Sequence, residues 1–382
     1  MGMTHNNPFS MPTLFEALQR LRLSEEETSG SIPPPPPPAF TPRATVDNAR
    51  LIKLFNLMTS KECVSQFKEI FSKAADPEAL LKIVSLLTSD SDYFMEVVRN
   101  KYGSKRVQKL LGISDDVDAL FYAAILHRFY DIMTDKYASY VAIRAMLVFD
   151  TMEKFRMYDH VLYYALEIAS DHYGCIALNE VITDVGEPLY RKLLLDLVAL
   201  NALFLSNDPS GNFVVQHVLT LYDARCTSNV AVSLLGHCVD LSFQKYGSYI
   251  VEKLLEAEES IAVVVVELLE CEGGRLSKLA RNEFGSFVVV KALKVTHAMN
   301  RFDLLGDLVQ KLMPLRHLLV RFHGSNIAKI LESYESFTVS ELKLIYNSEQ
   351  EIANHFLKHL ATILKPVCTI KHIQDIQTSE HD

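Results

Sequence analysis

The stretch "QKYGSYIVEKLLE", residues 244 to 256, decides the fold because variants of it occur seven times along the chain. The other six variants begin at residues 100, 135, 171, 208, 282 and 321. Aligned on the fifth residue, successive variants are spaced by 35, 36, 37, 36, 38 and 39 residues. A period between about 20 and 50 residues is typical of solenoids and propellers, so the sequence predicts a repeat array.

The pattern inside the stretch predicts a helix with one buried face. Four apolar residues form one stripe at helical spacing: Ile250, Val251, Leu254 and Leu255. Ser248 and Glu252 are four residues apart and therefore lie on one face of the helix, with Tyr249 beside them. Gly247 fits a tight turn or a close approach between backbones. Seven such helices in register would present a row of polar pairs, many with an adjacent ring.

The rest of the chain after Asp47 is predicted to be helical. Each aligned stretch follows an amphipathic first helix, such as "DALFYAAILHRFYDIMT" from Asp118 or "EPLYRKLLLDLVALNALFL" from Glu187. The period-2 alternation of strands is absent. "NARLIKLFNLM" and "VSQFKEIFSKA" are interpreted as an N-terminal helical cap, and "SELKLIYNSEQEIANHFLKHLATIL" as a C-terminal one. The predicted class is all-α, with repeats of two helices.

Three segments are distinguished by composition. Residues 1–46 contain "SIPPPPPPAFTPR" and are predicted to form a disordered, proline-rich tail. Residues 47–366 hold the repeats and their caps, and residues 367–382 form a C-terminal tail.

Composition favours a globular protein of the cell interior. The 382 residues are 49% hydrophobic and 22% charged, with a net charge of −9. That charge argues against unspecific coating of nucleic acid but allows a local basic track. The six cysteines lack C-x-x-C spacing, which favours reduced thiols without a metal. Neither an apolar run of about 18 residues nor a signal-peptide core is found, so the cytoplasm is expected, with the nucleus also open.

The aligned stretches resemble the second helices of Pumilio-type (PUF) repeats. "YGSYIVEK", "SGNFVVQH" and "YGSKRVQK" carry the resemblance, which covers residues 80 to 335, and "HGSNIAKILESY" resembles the segment after the last repeat. The chain is thus similar to a divergent, plant-like PUF protein with about six base-recognising repeats. The resemblance implies a right-handed α-solenoid, crescent-shaped, that is a monomer and binds single-stranded RNA. It also implies regulation of mRNA translation and stability through 3′-untranslated regions, by recruiting translational repressors or deadenylases.

The resemblance assigns the fifth and ninth residues of a stretch to a base edge and the sixth to stacking. Three repeats match complete patterns. Asn212 and Gln216 with Phe213 match uracil, Ser248 and Glu252 with Tyr249 match guanine, and Ser104 and Gln108 with Lys105 match adenine. Glutamate only accepts hydrogen bonds, which suits the N–H donors of guanine.

The other repeats depart from the pattern. Ser139 and Tyr140 are followed by Ile143 at the ninth position, and Ser286 and Phe287 by Val290. Cys175 is followed by Ile176 and by Asn179, which is shorter than glutamine. The closing stretch, with Ser325, Asn326 and Lys329, is expected to recognise no base.

Because the family binds RNA antiparallel to the protein, the implied site is (U)-G-U-N-N-A. The seven aligned stretches together carry a net charge of +4. Because the whole chain carries −9, the remaining residues carry −13. Positive charge that is concentrated in the aligned stretches is expected for a surface that faces RNA phosphates. Lys101 and Arg106 are the predicted phosphate contacts.

Three alternatives are weighed against this interpretation. An armadillo- or HEAT-like solenoid that binds protein shares the period, but it does not predict the small residues at the fifth position or the rings at the sixth. A PUF fold with relaxed sequence choice fits the weakened repeats. An enzyme is disfavoured, since the phosphate-loop, nucleophile-elbow and zinc-protease motifs are absent. No cofactor is expected.

Overall fold

The computed structural model describes residues 48–73 and 77–334, and every regular element in these ranges is helical. The chain divides into two compact units, Met1–Ile132 and Met133–Asp382. The predicted proline-rich tail, C-terminal cap and C-terminal tail lie outside the described residues. None of the described helices combines the length and the apolar character needed to cross a membrane.

Each repeat consists of a first helix, a linking helix and a motif helix, and the motif helix carries the aligned stretch. The first helices of repeats 1 to 6 span Pro77–Leu87, Asp115–His127, Thr151–Tyr163, Pro188–Leu200, Ala224–Ser233 and Glu258–Glu270. The linking helices span Ser91–Arg99, Phe129–Met133, Ala165–Ser170, Ala202–Asn207, Cys238–Ser242 and Gly273–Arg281. The motif helices span Lys101–Gln108, Ser139–Val148, Gly174–Asp184, Gly211–Leu219, Lys245–Leu254 and Gly285–Ala298.

Further helices precede and follow the six repeats. The N-terminal pair spans Asn48–Thr59 and Val64–Lys73, as the sequence predicts. A closing segment repeats the three-part arrangement with Phe302–Leu312, Arg316–Leu319 and Ser325–Glu332, and has 3₁₀ turns at Met313–Leu315 and Phe322–Gly324.

The prediction of two helices per repeat is wrong, because each predicted first helix is broken near its end. At Asn201 the backbone turns to φ −104° and ψ 16°, and the side-chain Nδ2 donates to the carbonyl of Leu197 at 2.8 Å. At Arg128 it turns to φ −124° and ψ 33°, and the guanidinium bridges Asp131 at 2.6 Å and Asp92 at 2.7 Å. Both breaks continue the apolar pattern across the turn, so hydrophobic periodicity alone does not reveal them.

Within the second unit, equivalent helices of successive repeats pack against each other. The motif helices of repeats 2 to 6 and the closing helix Ser325–Glu332 contact their neighbours in order, and so do the first helices of repeats 3 to 6 and Phe302–Leu312. The predicted stripe of Ile250, Val251, Leu254 and Leu255 is fully buried, which confirms the assignment of the core face.

Glycine at the fourth position of the aligned stretch permits a close approach between the motif helix and the linking helix. A Cβ on Gly247 would lie 2.6 Å from the carbonyl oxygen of Leu241, and one on Gly103 would overlap the carbonyl oxygen of Val97. Contacts this short require the backbone to shift. The close approach anticipated for Gly247 is therefore present.

In five repeats the side chain of the first residue of the aligned stretch binds the backbone where the motif helix begins, as the N-cap in repeat 1 and in the turn just before the helix in the others. Its side-chain oxygen accepts from the backbone N–H groups two and three residues later, at 2.6 to 3.1 Å. The capping residues are Asn100, Asp135, Asp171, Asp208 and Asn282. In repeat 5 the position holds Gln244, which makes no such cap although its φ of −110° and ψ of 146° are extended as elsewhere. Such caps satisfy N–H groups that a helix start leaves open.

Candidate nucleic-acid interface

Repeat 4 holds its ninth side chain in a fixed orientation. Gln216 Nε2 donates to Asn212 Oδ1 at 2.9 Å, and Asn212 Nδ2 donates to the carbonyls of Asp208 and Pro209 at 2.8 and 2.9 Å. Asn212 is only 1% exposed and its amide is fully engaged. Gln216 therefore keeps its carbonyl oxygen and its second N–H for a ligand. An adjacent acceptor and donor match the N–H and carbonyl on the edge of uracil.

Repeat 1 has a similar pair. Gln108 Nε2 donates to Ser104 Oγ at 2.9 Å, and Ser104 is buried while Gln108 is half-buried. In both repeats the fifth residue positions the ninth, so the amide of the ninth residue is the group open to a ligand. The sequence pairs these residues correctly but does not show that the fifth is nearly inaccessible.

Repeat 5 presents a carboxylate. Ser248 Oγ donates to the carbonyl of Lys245 at 3.1 Å. Burial raises the pKa of the half-buried Glu252 carboxyl, with the nearby charges of Lys291, Glu256 and Lys253 as smaller influences. The carboxylate is an acceptor with reduced hydration, which favours a ligand edge that offers N–H donors.

Three repeats lack a complete polar pair. Ile143 is 7% exposed and belongs to the core of repeat 2, and Val290 is half-buried in repeat 6. In repeat 3, Cys175 is buried and its Sγ donates to the carbonyl of His172 at 3.4 Å. The fifth residues Ser139 and Ser286 are also buried. These repeats therefore lack the amide or carboxylate that repeats 1, 4 and 5 present at the ninth position.

The sixth residues of the second unit are exposed on motif helices that pack side by side. The exposed fractions of Tyr140, Ile176, Phe213, Tyr249 and Phe287 are 45, 50, 55, 44 and 58%. Each side chain stands out from a helix whose neighbouring residues are in the core. In repeat 1 this position is the exposed Lys105. Flat apolar side chains of this kind offer surfaces on which bases stack.

The prediction of a phosphate contact by Arg106 is wrong, because the side chain is 4% exposed. Its Nη2 donates to the carbonyl of Ser60 at 2.8 Å, and its guanidinium lies 5.5 Å from the ring centre of Phe67. Burial lowers the pKa of Arg106. Arg106 thus ties repeat 1 to the N-terminal helix pair. Lys101 is exposed, and its phosphate contact stays a prediction.

The alignment of the stretches contains a signal that predicts the burial of Arg106. Arg106 occupies the seventh position, which in the other stretches is buried and apolar: Val141, Ala177, Val214, Ile250, Val288 and Ile327. The caps at the first position were also missed, although asparagine or aspartate at that place is a helix-start signal. Among the described residues, no cluster of histidine, cysteine or acidic side chains comes together to hold a metal ion.

The fold and the exposed row of motif-helix side chains define a helical-repeat protein, and comparisons with known proteins identify the repeats. The family model of the Pumilio-family RNA binding repeat matches residues 128–162, 201–224 and 237–269. Pumilio homolog 18 of Arabidopsis thaliana is 63% identical over 329 residues, which are 86% of this chain and 98% of that protein. The putative pumilio homolog 17 of the same plant is 50% identical over 87% of this chain and 98% of its own length.

The chain belongs to the Pumilio family of RNA-binding repeat proteins. Solved structures agree in fold. The Puf4 RNA-binding domain bound to the HO endonuclease 3′-UTR recognition sequence aligns with a TM-score of 0.63 at 21% identity, over 73% of this chain and 88% of that one. PUF-6 in complex with 5BE13 RNA aligns with a TM-score of 0.62 at 12% identity, over 82% and 94%. The predicted all-α fold of Pumilio-type repeats is confirmed.

Proposed function

We propose that the chain binds single-stranded RNA with sequence preference through its motif helices. The observation that carries the proposal is the geometry of repeats 4 and 5. Gln216 is held by Asn212 with an acceptor and a donor left open, and Glu252 offers only acceptors. Exposed rings at Phe213 and Tyr249 stand beside them. Adjacent repeats of this kind suit uracil and guanine, in agreement with a G-U core in (U)-G-U-N-N-A.

The proposed role is post-transcriptional regulation of messenger RNA through 3′-untranslated elements. The Puf4 relative was solved with a 3′-UTR recognition sequence. Regulation would proceed through recruited translational repressors or deadenylases, with the protein acting as a cytoplasmic monomer. Ile143 and Val290 support a second possibility, a PUF fold with relaxed choice at repeats 2 and 6.

Fluorescence anisotropy with a labelled UGUAUA RNA tests the proposal. The full chain should bind this RNA more tightly than UAUAUA, in which the guanine is replaced, by about 5- to 150-fold, the range for one well-placed base contact. Glu252→Gln should reduce that difference. Equal affinity for the two RNAs in the wild-type protein would contradict the guanine assignment.

The pH dependence of binding provides an independent check on Glu252. Because burial raises its pKa, the carboxylate takes up a proton at a higher pH than an exposed glutamate does. The protonated form gains a donor and loses acceptor capacity, so the preference for guanine should weaken as the pH falls from 7 to 5. In Glu252→Gln the preference should not vary over this range. A wild-type preference that is independent of pH would refute a role for the carboxylate.

A further inference from the structure

The charge of the linking helices changes sign at the last repeat. The linking helices of repeats 1 to 5 carry net charges of −1, −1, −1, 0 and −1, whereas that of repeat 6, Gly273–Arg281, carries +3 and contains no acidic residue. The closing segment continues this change, because Arg316–Leu319 and residues 320–324 together carry +2, again without an acid. In a chain with a net charge of −9, cations concentrated at one place indicate an anionic ligand there.

The protein itself neutralises two of these cations. Arg275 forms an ion pair with Asp240 of the preceding linking helix. Arg316 Nη2 lies 3.0 Å from Glu332 Oε1 in the closing motif helix. The remaining cations of these segments are exposed and form no ion pair with another described residue: Lys278, Arg281 and Arg321. They are therefore available to a ligand.

Two of the available cations lie on one face of the linking helix of repeat 6. Lys278 and Arg281 are three residues apart, so their side chains are neighbours on the helix surface. Arg281 Nε donates to the carbonyl of Ser277 at 3.1 Å, which leaves the other four N–H groups of the guanidinium for a ligand. Glu272 lies about 9 Å from Lys278 along the helix axis, and charges at this distance are largely screened at physiological salt. Glu283 follows Arg281 after the helix has ended, so the two glutamates reduce the positive charge of this face without cancelling it.

The closing stretch has cations at two positions where the repeats have other residues. Arg321 is its first residue, a position where five repeats have asparagine or aspartate bound to the start of the motif helix. The closing motif helix Ser325–Glu332 has no side-chain cap, so the arginine forgoes the stabilisation that a cap provides. Lys329 is the ninth residue, where repeats 1, 4 and 5 present an amide or a carboxylate, and it is exposed. The closing stretch thus has the form of a repeat but presents positive charge.

These cations lie where the RNA-binding surface ends. The linking helix of repeat 6 contacts the motif helix of its own repeat, the helix Arg316–Leu319 and the 3₁₀ turn Phe322–Gly324. The closing motif helix contacts the motif helix of repeat 6, on which Phe287 is exposed. In the antiparallel arrangement that the family resemblance implies, the 5′ end of the RNA lies at repeat 6. Nucleotides upstream of the core therefore pass from Phe287 toward Lys329 and Arg321.

We propose that Lys278, Arg281, Arg321 and Lys329 bind backbone phosphates of the nucleotides immediately 5′ of the recognised core. The site selects no base, because phosphates are the same in every nucleotide. Arginine donates to phosphate oxygens through its planar fork, and lysine through its ammonium group. The row of exposed sixth residues leads the RNA backbone to these cations, which favours RNA over an acidic protein segment. The proposal rests on the proposed function and adds affinity for RNA that continues beyond the core.

The test compares three RNAs that carry a label at the 3′ end, in anisotropy titrations with the full chain. The first is UGUAUA, the second adds four abasic nucleotides at its 5′ end, and the third has the same extension with uncharged methylphosphonate linkages. Contact with two phosphates, at roughly 0.7 each for a single strand, should increase the slope of log affinity against log salt concentration by about 1.4. At 0.1 M salt the abasic extension should therefore tighten binding about 5- to 25-fold. The methylphosphonate extension should bind like UGUAUA.

The outcomes separate this proposal from the proposed function. Equal affinity for the three RNAs overturns the phosphate site, leaves the proposed function in place and favours an acidic protein as the ligand of these cations. An equal gain from the charged and the uncharged extension also overturns the site, because the contact would not be to phosphate charge. A folded protein that binds none of the three RNAs overturns the proposed function itself.

A matched pair of double variants assigns the gain to the named cations. Lys278→Gln with Arg321→Gln should reduce the gain from the abasic extension to about twofold or less. The control, Lys192→Gln with Arg156→Gln, removes one exposed lysine and one exposed arginine from the first helices of repeats 4 and 3 and should keep the full gain. An undiminished gain in the first variant, or an equal loss in the control, overturns the assignment. Circular dichroism verifies that both variants fold, and the methylphosphonate comparison tests the site in the wild-type protein if the first variant does not.

Discussion

Replacing Tyr249 by alanine tests whether the exposed ring of repeat 5 serves binding or packing. The ring is 44% exposed on the motif helix Lys245–Leu254, whose residues Ile250 and Val251 are fully buried. The ring is therefore partly packed against the protein and partly accessible to a ligand. The substitution removes the ring and leaves the backbone and the neighbouring polar groups in place.

The exposed fraction of the ring sets two expected magnitudes, one for the loss of stability and one for the loss of binding free energy. Truncating a fully buried aromatic residue to alanine costs about 3–5 kcal/mol of stability, so a ring that is nearly half-exposed should cost roughly 1–2 kcal/mol. Loss of a base-stacking ring costs about 1–3 kcal/mol of binding free energy. On the scale of 1.4 kcal/mol per tenfold change, that corresponds to roughly 5- to 150-fold weaker binding.

Two measurements separate these effects. Anisotropy titrations with UGUAUA report affinity, and urea unfolding followed by circular dichroism reports stability. Tyr163→Ala is the control, since Tyr163 is 64% exposed but lies at the end of a first helix. It should leave affinity unchanged. A Tyr249→Ala variant with wild-type affinity and a stability loss above about 3 kcal/mol would refute the reasoning, because the ring would then belong to the core.

Three further predictions concern positions that the structure explains. Gly247→Ala places a Cβ against the Leu241 backbone and should lower the free energy of unfolding by about 1–3 kcal/mol. The control Gly274→Ala has open space around the added Cβ and should change the free energy of unfolding by less than about 1 kcal/mol. Equal effects of the two substitutions in urea unfolding would contradict the close approach. Gln244→Asp should add the cap that five other repeats have and stabilise the protein by about 1 kcal/mol. A melting temperature at or below wild type would argue against this capping mechanism. Arg106→Met should destabilise the protein and leave the salt dependence of RNA binding unchanged. Lys101→Ala should leave the stability of the protein unchanged and reduce the slope of log affinity against log salt concentration by about 1. The reverse result in salt titrations would restore Arg106 as a phosphate contact.

The core and the exposed row could be predicted from the sequence because they depend on periodicity alone. Six of the seven aligned stretches have an apolar residue at the position of Ile250 and place it inside, all seven place the equivalent of Tyr249 outside, and the structure agrees at these positions. Hydrophobic periodicity does not show where a helix ends when the apolar pattern continues across the break. The breaks at Arg128 and Asn201 depend on side chains that bond to the preceding or following turn, so the linking helices were not predicted.

Contacts between elements account for the other differences. Arg106 looks like part of a basic surface until Ser60 and Phe67, distant in sequence, are seen to enclose it. The volume between Ile176 and Phe213 depends likewise on packing. Asn212, in contrast, is engaged locally, by the carbonyls of Asp208 and Pro209 in the turn that precedes it. Residue type at each aligned position indicates what a side chain can bond to, but only the packed structure shows what is left for a ligand.

Selection of RNA by the full chain from a random single-stranded pool, at near-physiological salt, tests the central claim most directly. The claim that repeats 6 to 1 recognise successive bases predicts enrichment of a G-U core with an adenine three positions 3′ of the uracil. Binding without enrichment would contradict base recognition by the motif helices and would indicate a surface that contacts RNA through its backbone and through unselective stacking. The absence of any bound RNA would contradict the claim entirely and favour a protein ligand for these repeats.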